Sequence, residues 1–117
     1  MVTKIVLPAA GSGSRLLPIT KEIPKEMLPI FLKTPTNSLT IKPLIQILFE
    51  QFYNHNFREF CFVVGKQKRT IEDHFTSDST FLSNPSIDDN VRKDLGNFYE
   101  MLNKSKIFWV NQQEPKG

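Results

Sequence analysis

Ile5-Val6-Leu7-Pro8-Ala9-Ala10-Gly11-Ser12-Gly13-Ser14-Arg15 is the stretch on which the reading of the fold turns. A β-branched and aliphatic run that breaks into small residues reads as a buried strand entering a tight connection. Gly11 and Gly13 lack a Cβ, so the backbone here can approach a ligand closely, and N–H groups in such a loop can converge on phosphate oxygens. Arg15 adds a planar, permanently charged fork for the same anion. Taken alone, Gly-Ser-Gly is also an ordinary turn composition. The loop is not a dinucleotide fingerprint, because Leu16 stands where the third glycine belongs, and it is not a P-loop, because no Gly-Lys-Ser/Thr follows.

Working outward, Pro18, Pro24, Pro29 and Pro35 deny a long helix between Leu16 and Ile41, which reads as loop with short turns. From Pro43 to about Asn56 the apolar positions Leu44, Ile45, Ile47, Leu48, Phe52 and Tyr53 recur at helical spacing, with Pro43 suited to the first turn. Phe60 to Val64 reads as a second buried strand ending at Gly65, followed by a short helix from about Lys68 to Phe75. After Asp88 or Asp89, either a suitable N-cap, the positions Val91, Leu95, Phe98, Tyr99 and Leu102 mark an amphipathic helix. Ile107-Phe108-Trp109-Val110 is the third strand. Strands alternating with helices predict an α/β fold, a mostly parallel sheet with helices on its faces in three layers. Ligands bind such sheets beyond the carboxyl ends of the strands, which places the Gly11–Arg15 loop at the candidate site. Lys21 and Lys25 bring further positive charge to the same region, suited to a polyphosphate.

Composition narrows the alternatives. The chain has 117 residues, with fifteen Lys plus Arg against twelve Asp plus Glu. That length suits one domain with its own core. A single cysteine, Cys61, excludes an internal disulfide or a cysteine metal cluster, and its apolar neighbours suggest a buried, inert thiol. No apolar run approaches the roughly 20 residues of a membrane span, and the N-terminus enters a strand-like run without a signal-peptide region. The expected setting is cytoplasmic. A net charge of +3, with cations interspersed among acids, argues against a nucleic-acid surface and fits small anions.

The run from Leu7 through Ile30, including Pro24-Lys25-Glu26-Met27-Leu28-Pro29, resembles the signature of the sugar-phosphate nucleotidyltransferases. The likeness continues through Lys42-Pro43-Leu44-Ile45-Gln46, Phe62-Val63-Val64-Gly65-Lys66, Ile71-Glu72-Asp73-His74-Phe75 and Gln112-Gln113-Glu114-Pro115-Lys116-Gly117, and is greatest to the bacterial and archaeal branch that joins UTP to glucose 1-phosphate. The segment from Leu32 to Ile41 is longer than in the bacterial pattern. The resemblance implies a Rossmann-like nucleotidyltransferase fold, with residues 1–117 as the N-terminal nucleotide-binding part of a catalytic domain. It implies that the backbone of Ala9, Ala10, Gly11, Ser12, Gly13 and Ser14 holds the nucleotide, that Arg15 and Lys25 bind the phosphates, and that Glu26, Gln112 and Gly117 contact uracil. It also implies in-line attack by the sugar phosphate on the α-phosphorus, release of pyrophosphate, and Mg²⁺ as cofactor.

Members of this family run longer, and past the glycine matching Gly117 they carry the metal-binding aspartate and most of the sugar site. The expectation is therefore a chain that binds nucleotide but is catalytically incomplete alone. No metal ligand is assigned here: Asp73, Asp78, Asp88 and Asp89 fall at no predicted strand end. Two other readings remain open at this point, a thymidylyltransferase, which would more usually carry Gln in place of Glu26, and a non-catalytic nucleotide-binding or regulatory domain. His74 reads as a packing residue, His55 as a cation near a helix C-terminus, and Lys66, Lys68 and Arg69 as a solvated helix start. A sheet of three strands with an open edge and a bare apolar face predicts a homo-oligomer.

Overall fold

The computed structural model describes residues 4–11, 14–34, 37–66 and 68–112. Strands β1 (Lys4–Ala9), β4 (Glu59–Val64) and β5 (Lys106–Asn111) form a parallel sheet in the order β1-β4-β5. Strands β2 (Pro29–Lys33) and β3 (Leu39–Pro43) form a separate antiparallel hairpin. Helix α1 (Leu44–Asn54) precedes β4, and α2 (Lys68–His74), α3 (Ser79–Ser83) and α4 (Asp89–Asn103) lie between β4 and β5.

Right-handed crossovers that step in one direction across a sheet place their helices on one face. The burial pattern follows that rule. Leu7 and Ala9 of β1 and Phe60, Phe62 and Val64 of β4 are buried with Ile45 and Phe49 of α1, Ile71 of α2 and Phe98 and Leu102 of α4 in a single cluster. Aromatic rings fill it: Phe49 meets Phe60 at 4.6 Å between centroids, Phe75 at 5.4 Å and Phe98 at 5.9 Å, the last two edge-on. The Phe-bearing helical stripes are thus core.

The opposite face of the sheet is bare among the described residues, with Val6, Phe108 and Val110 exposed. The molecule is accordingly a slab of 41 × 40 × 26 Å. The sheet and the helices on its one covered face make two layers, and a third layer, expected from the sequence, is not found among the described residues. Cys61 points to this bare side and is half-buried rather than enclosed. Its neighbours Phe60 and Phe62 are buried because strand side chains alternate between faces.

The segment read as loop holds the β2–β3 hairpin. Pro29 and Pro43 sit opposite one another at the open end of the ladder, where a missing N–H costs little, so these prolines bound the strands rather than forbid them. At the other end Thr34 Oγ1 meets Ser38 Oγ at 2.7 Å, and Asn37 takes φ 64°, a left-handed conformation that Asn tolerates. Helix α1 starts directly after Pro43, which is its N-cap rather than part of its first turn. Asp88 caps α4 by accepting from the Asn90 N–H at 2.8 Å. A further short helix, α3, capped by Asp78, has no counterpart in the sequence reading.

Candidate functional site

Because the three sheet strands are parallel and in register, Ala9, Val64 and Asn111 end side by side. The chain segments that leave them, Ala10–Gly11, Gly65–Lys66 and Gln112, therefore emerge at one edge. Gln112 is held there by its N–H, which donates to the Val64 carbonyl at 2.7 Å. Gly65 packs against the first loop: a Cβ at this position would lie 3.4 Å from the Ala10 oxygen and 3.6 Å from its Cα. That is ordinary van der Waals contact, so Gly65 lies directly against the backbone expected to meet the nucleotide. The sequence reading took Gly65 as the end of the second strand and assigned it no place in the site, although a glycine directly after a buried strand was the available signal.

The second half of the site comes from the 3-10 turn Lys25–Met27. Pro24 fixes its entry with φ −57° and ψ 140°. The turn is closed by the Met27 N–H on the Pro24 carbonyl at 2.9 Å and the Leu28 N–H on the Lys25 carbonyl at 3.2 Å. The first N–H of α1, from Leu44, then donates to the Leu28 carbonyl at 3.1 Å and ties the turn to the helix.

This turn brings Lys25 to the glycine loop. A Cβ built on Gly11 would stand 3.9 Å from the Lys25 ammonium, so the cation lies over the very residue that offers bare backbone. Glu26, next in the turn, is only 8% exposed. Its Oε2 lies 3.8 Å from Lys25 Nζ, a Coulombic contact longer than a hydrogen bond. A carboxylate so enclosed is costly unless matched by donors, and it retains acceptor capacity for a ligand N–H.

Among the other residues singled out from sequence, Ala9 turns its side chain into the core, leaving its backbone at the strand end. Ser14 and Arg15 occupy an exposed 3-10 turn, Ser14–Leu16. Lys21 is exposed and faces Glu22 at 3.7 Å. Ser12, Gly13 and Gly117 lie outside the described residues. Lys66 and Arg69 are exposed at the start of α2. His55 caps the end of α1.

Among the described residues no group of three His, Cys, Asp or Glu is placed to hold a metal ion. The donors among the described residues do not by themselves fit the Mg²⁺ that the resemblance implies. Among the described residues no helix is long and apolar enough to cross a membrane.

Comparison with known proteins gives a consistent set of likenesses. Residues 4–104 match the nucleotidyl transferase family. The UTP--glucose-1-phosphate uridylyltransferase of Streptococcus pneumoniae serotype 4 is 36% identical over 116 residues, covering 99% of this chain and 35% of that protein. A crystal structure of UDP-glucose pyrophosphorylase complexed with UDP-glucose superimposes with TM-score 0.75 at 35% identity, over 97% of this chain and 36% of that one. A UTP-bound UGPase from Acinetobacter baumannii gives TM-score 0.75 at 25% identity, over 100% of this chain and 38% of that one. The chain therefore spans little more than a third of the length of the relatives it matches.

Proposed function

The chain belongs to the nucleotidyl transferase family, and from that premise we propose that it forms the UTP-binding portion of a UTP–glucose-1-phosphate uridylyltransferase. One observation carries this reading. A nine-tenths-buried carboxylate, Glu26, and a cation, Lys25, are presented by one turn against the bare backbone of Gly11. A base with an imide N–H and a chain of anionic phosphates require these two groups together.

In the proposed reaction a phosphate oxygen of glucose 1-phosphate attacks the α-phosphorus of UTP in line. The new O–Pα bond forms as the Pα–O bond to the β-phosphate breaks, and pyrophosphate leaves with the bonding pair. This chain's part is to hold and to compensate charge. The backbone of Ala10 and Gly11 receives the nucleotide, Lys25 and Arg15 offset the phosphate charge, and Glu26 and Gln112 border the base. Fixed cations facing the developing charge lower the barrier without reorganising during the step. No protein nucleophile is needed. In this proposal these 117 residues supply the nucleotide-binding part, with no role in holding the sugar phosphate or Mg²⁺, so the chain alone binds UTP without turning it over. A cytoplasmic setting and association through the bare sheet face belong to the same proposal.

Base selection gives the test. Uracil presents an N3–H to Glu26, whereas cytosine presents a lone pair at that atom. Glu26→Ala is expected to weaken UTP binding about 10-fold, in line with roughly 1.5–3 kcal/mol for hydrogen bonds to charged groups, while leaving CTP binding unchanged. Competition titrations with both nucleotides read this directly. An Ala variant that keeps the full preference for UTP over CTP would remove Glu26 from the base site.

A further inference from the structure

A partly buried polar chain runs behind the site. Lys42 Nζ, from β3, donates to Glu50 Oε1 at 2.8 Å, and Gln46 Nε2 donates to Glu50 Oε2 at 2.6 Å, both acceptors lying on α1. Since the carboxylate can only accept, the Gln46 amide is oriented with its nitrogen toward Glu50 and its oxygen toward His74. His74 Nε2 lies 2.7 Å from that oxygen and must be the donor, which fixes the Nε2–H tautomer. The imidazole also stacks on Phe98 at 5.2 Å and meets Phe75 edge-on. Burial lowers its pKa, an effect partly opposed by the Glu50 charge, which favours the neutral ring.

This chain joins the two helices that cradle the Lys25–Met27 turn, which packs against both α1 and α2. Met27, the residue after Glu26, lines the same cavity of about 690 Å³ as His74. The α1–α2 spacing therefore sets where Lys25 and Glu26 stand. A directional hydrogen bond between partly enclosed groups adds a fixed distance and orientation to the apolar packing there.

We infer that His74, through its hydrogen bond to Gln46, is a positioning residue that holds the Lys25–Glu26 turn in register with the Gly11 loop. The inference deepens the proposed nucleotide site and assigns His74 no contact with the nucleotide.

Two substitutions separate positioning from bulk packing. His74→Phe keeps an aromatic ring against Phe98 but strands the buried Gln46 oxygen. His74→Gln places an N–H donor close to the original Nε2. In wild-type protein the Met27 and Leu28 amides are hydrogen-bonded in the turn, so their hydrogen exchange reports its order without any ligand. His74→Phe is expected to speed exchange at these two amides about 10-fold and to weaken UTP binding about 5-fold, while His74→Gln stays within about 2-fold of wild type in both. A folded His74→Phe protein with wild-type exchange at Met27 and Leu28, or a His74→Gln protein as impaired as His74→Phe, would overturn the inference. If His74→Phe does not fold, Gln46→Leu deletes the same bond from the other side and is read by the same criteria. If the wild-type chain binds no UTP, the proposed function fails, and the exchange measurement still decides the role of His74.

Discussion

Replacing Lys25 by alanine is expected to lower UTP affinity between about 10-fold and 100-fold, with almost no change in the unfolding midpoint. The two effects separate because of where this cation sits. Its side chain is 47% exposed and its ion-pair contact with Glu26 is long, so it contributes little to the folded state. It nevertheless stands over Gly11, where a phosphate received by the bare backbone would meet it directly. Charge-assisted hydrogen bonds to phosphate contribute about 1.5–3 kcal/mol, which sets the range. Lys25→Arg is not expected to rescue, since the larger fork would have to enter the space beside Gly11. Calorimetric titration with UTP checks the prediction, and affinity within 2-fold of wild type would remove Lys25 from the phosphate site.

Phe49→Ala is expected to have the opposite profile, a large loss of stability. Phe49 is fully buried and touches rings from α1, β4, α4 and the residue following α2. Truncating such a side chain removes its transfer free energy and leaves a cavity that neighbours close only in part, at a cost of about 3–5 kcal/mol. Domains of this size hold roughly 5–15 kcal/mol in all, so the variant should be marginal at 25 °C or unfolded. Phe108, on the bare face and 55% exposed, provides the contrast. In the dissociated chain Phe108→Ala should shift stability by no more than about 0.5 kcal/mol. Urea unfolding of both variants measures the difference, and equal losses would mean that the rings are not distributed between core and surface as described.

The helices and sheet strands were legible because their cues are local and repeated. Helical spacing in Leu44–Tyr53 and Val91–Leu102 and β-rich runs at Phe60 and Ile107 each report directly on which side faces a core. The hairpin was not, because Pro29 read as a break and Pro43 as the start of a helix until the register shows them paired across the end of a ladder. The exposure of Cys61 was hidden for a related reason. A strand of unbroken apolar residues does not show which of its side chains point to the uncovered face, and only the direction in which successive crossovers step assigns it. The loop and the Pro-Lys-Glu turn were legible as separate segments. Their meeting, with the Lys25 ammonium over Gly11, depends on α1 and the hairpin between them, as does the packing of Gly65 on Ala10, and no local pattern encodes either contact.

The most direct measurement is a calorimetric titration of the 117-residue chain with UTP, run in parallel with CTP. The proposed site predicts saturable one-to-one binding of UTP, tighter than CTP by about 10-fold, consistent with about 1.4 kcal/mol per tenfold for one base-reading hydrogen bond. The absence of saturable UTP binding in folded protein, or equal affinity for the two nucleotides, would contradict it.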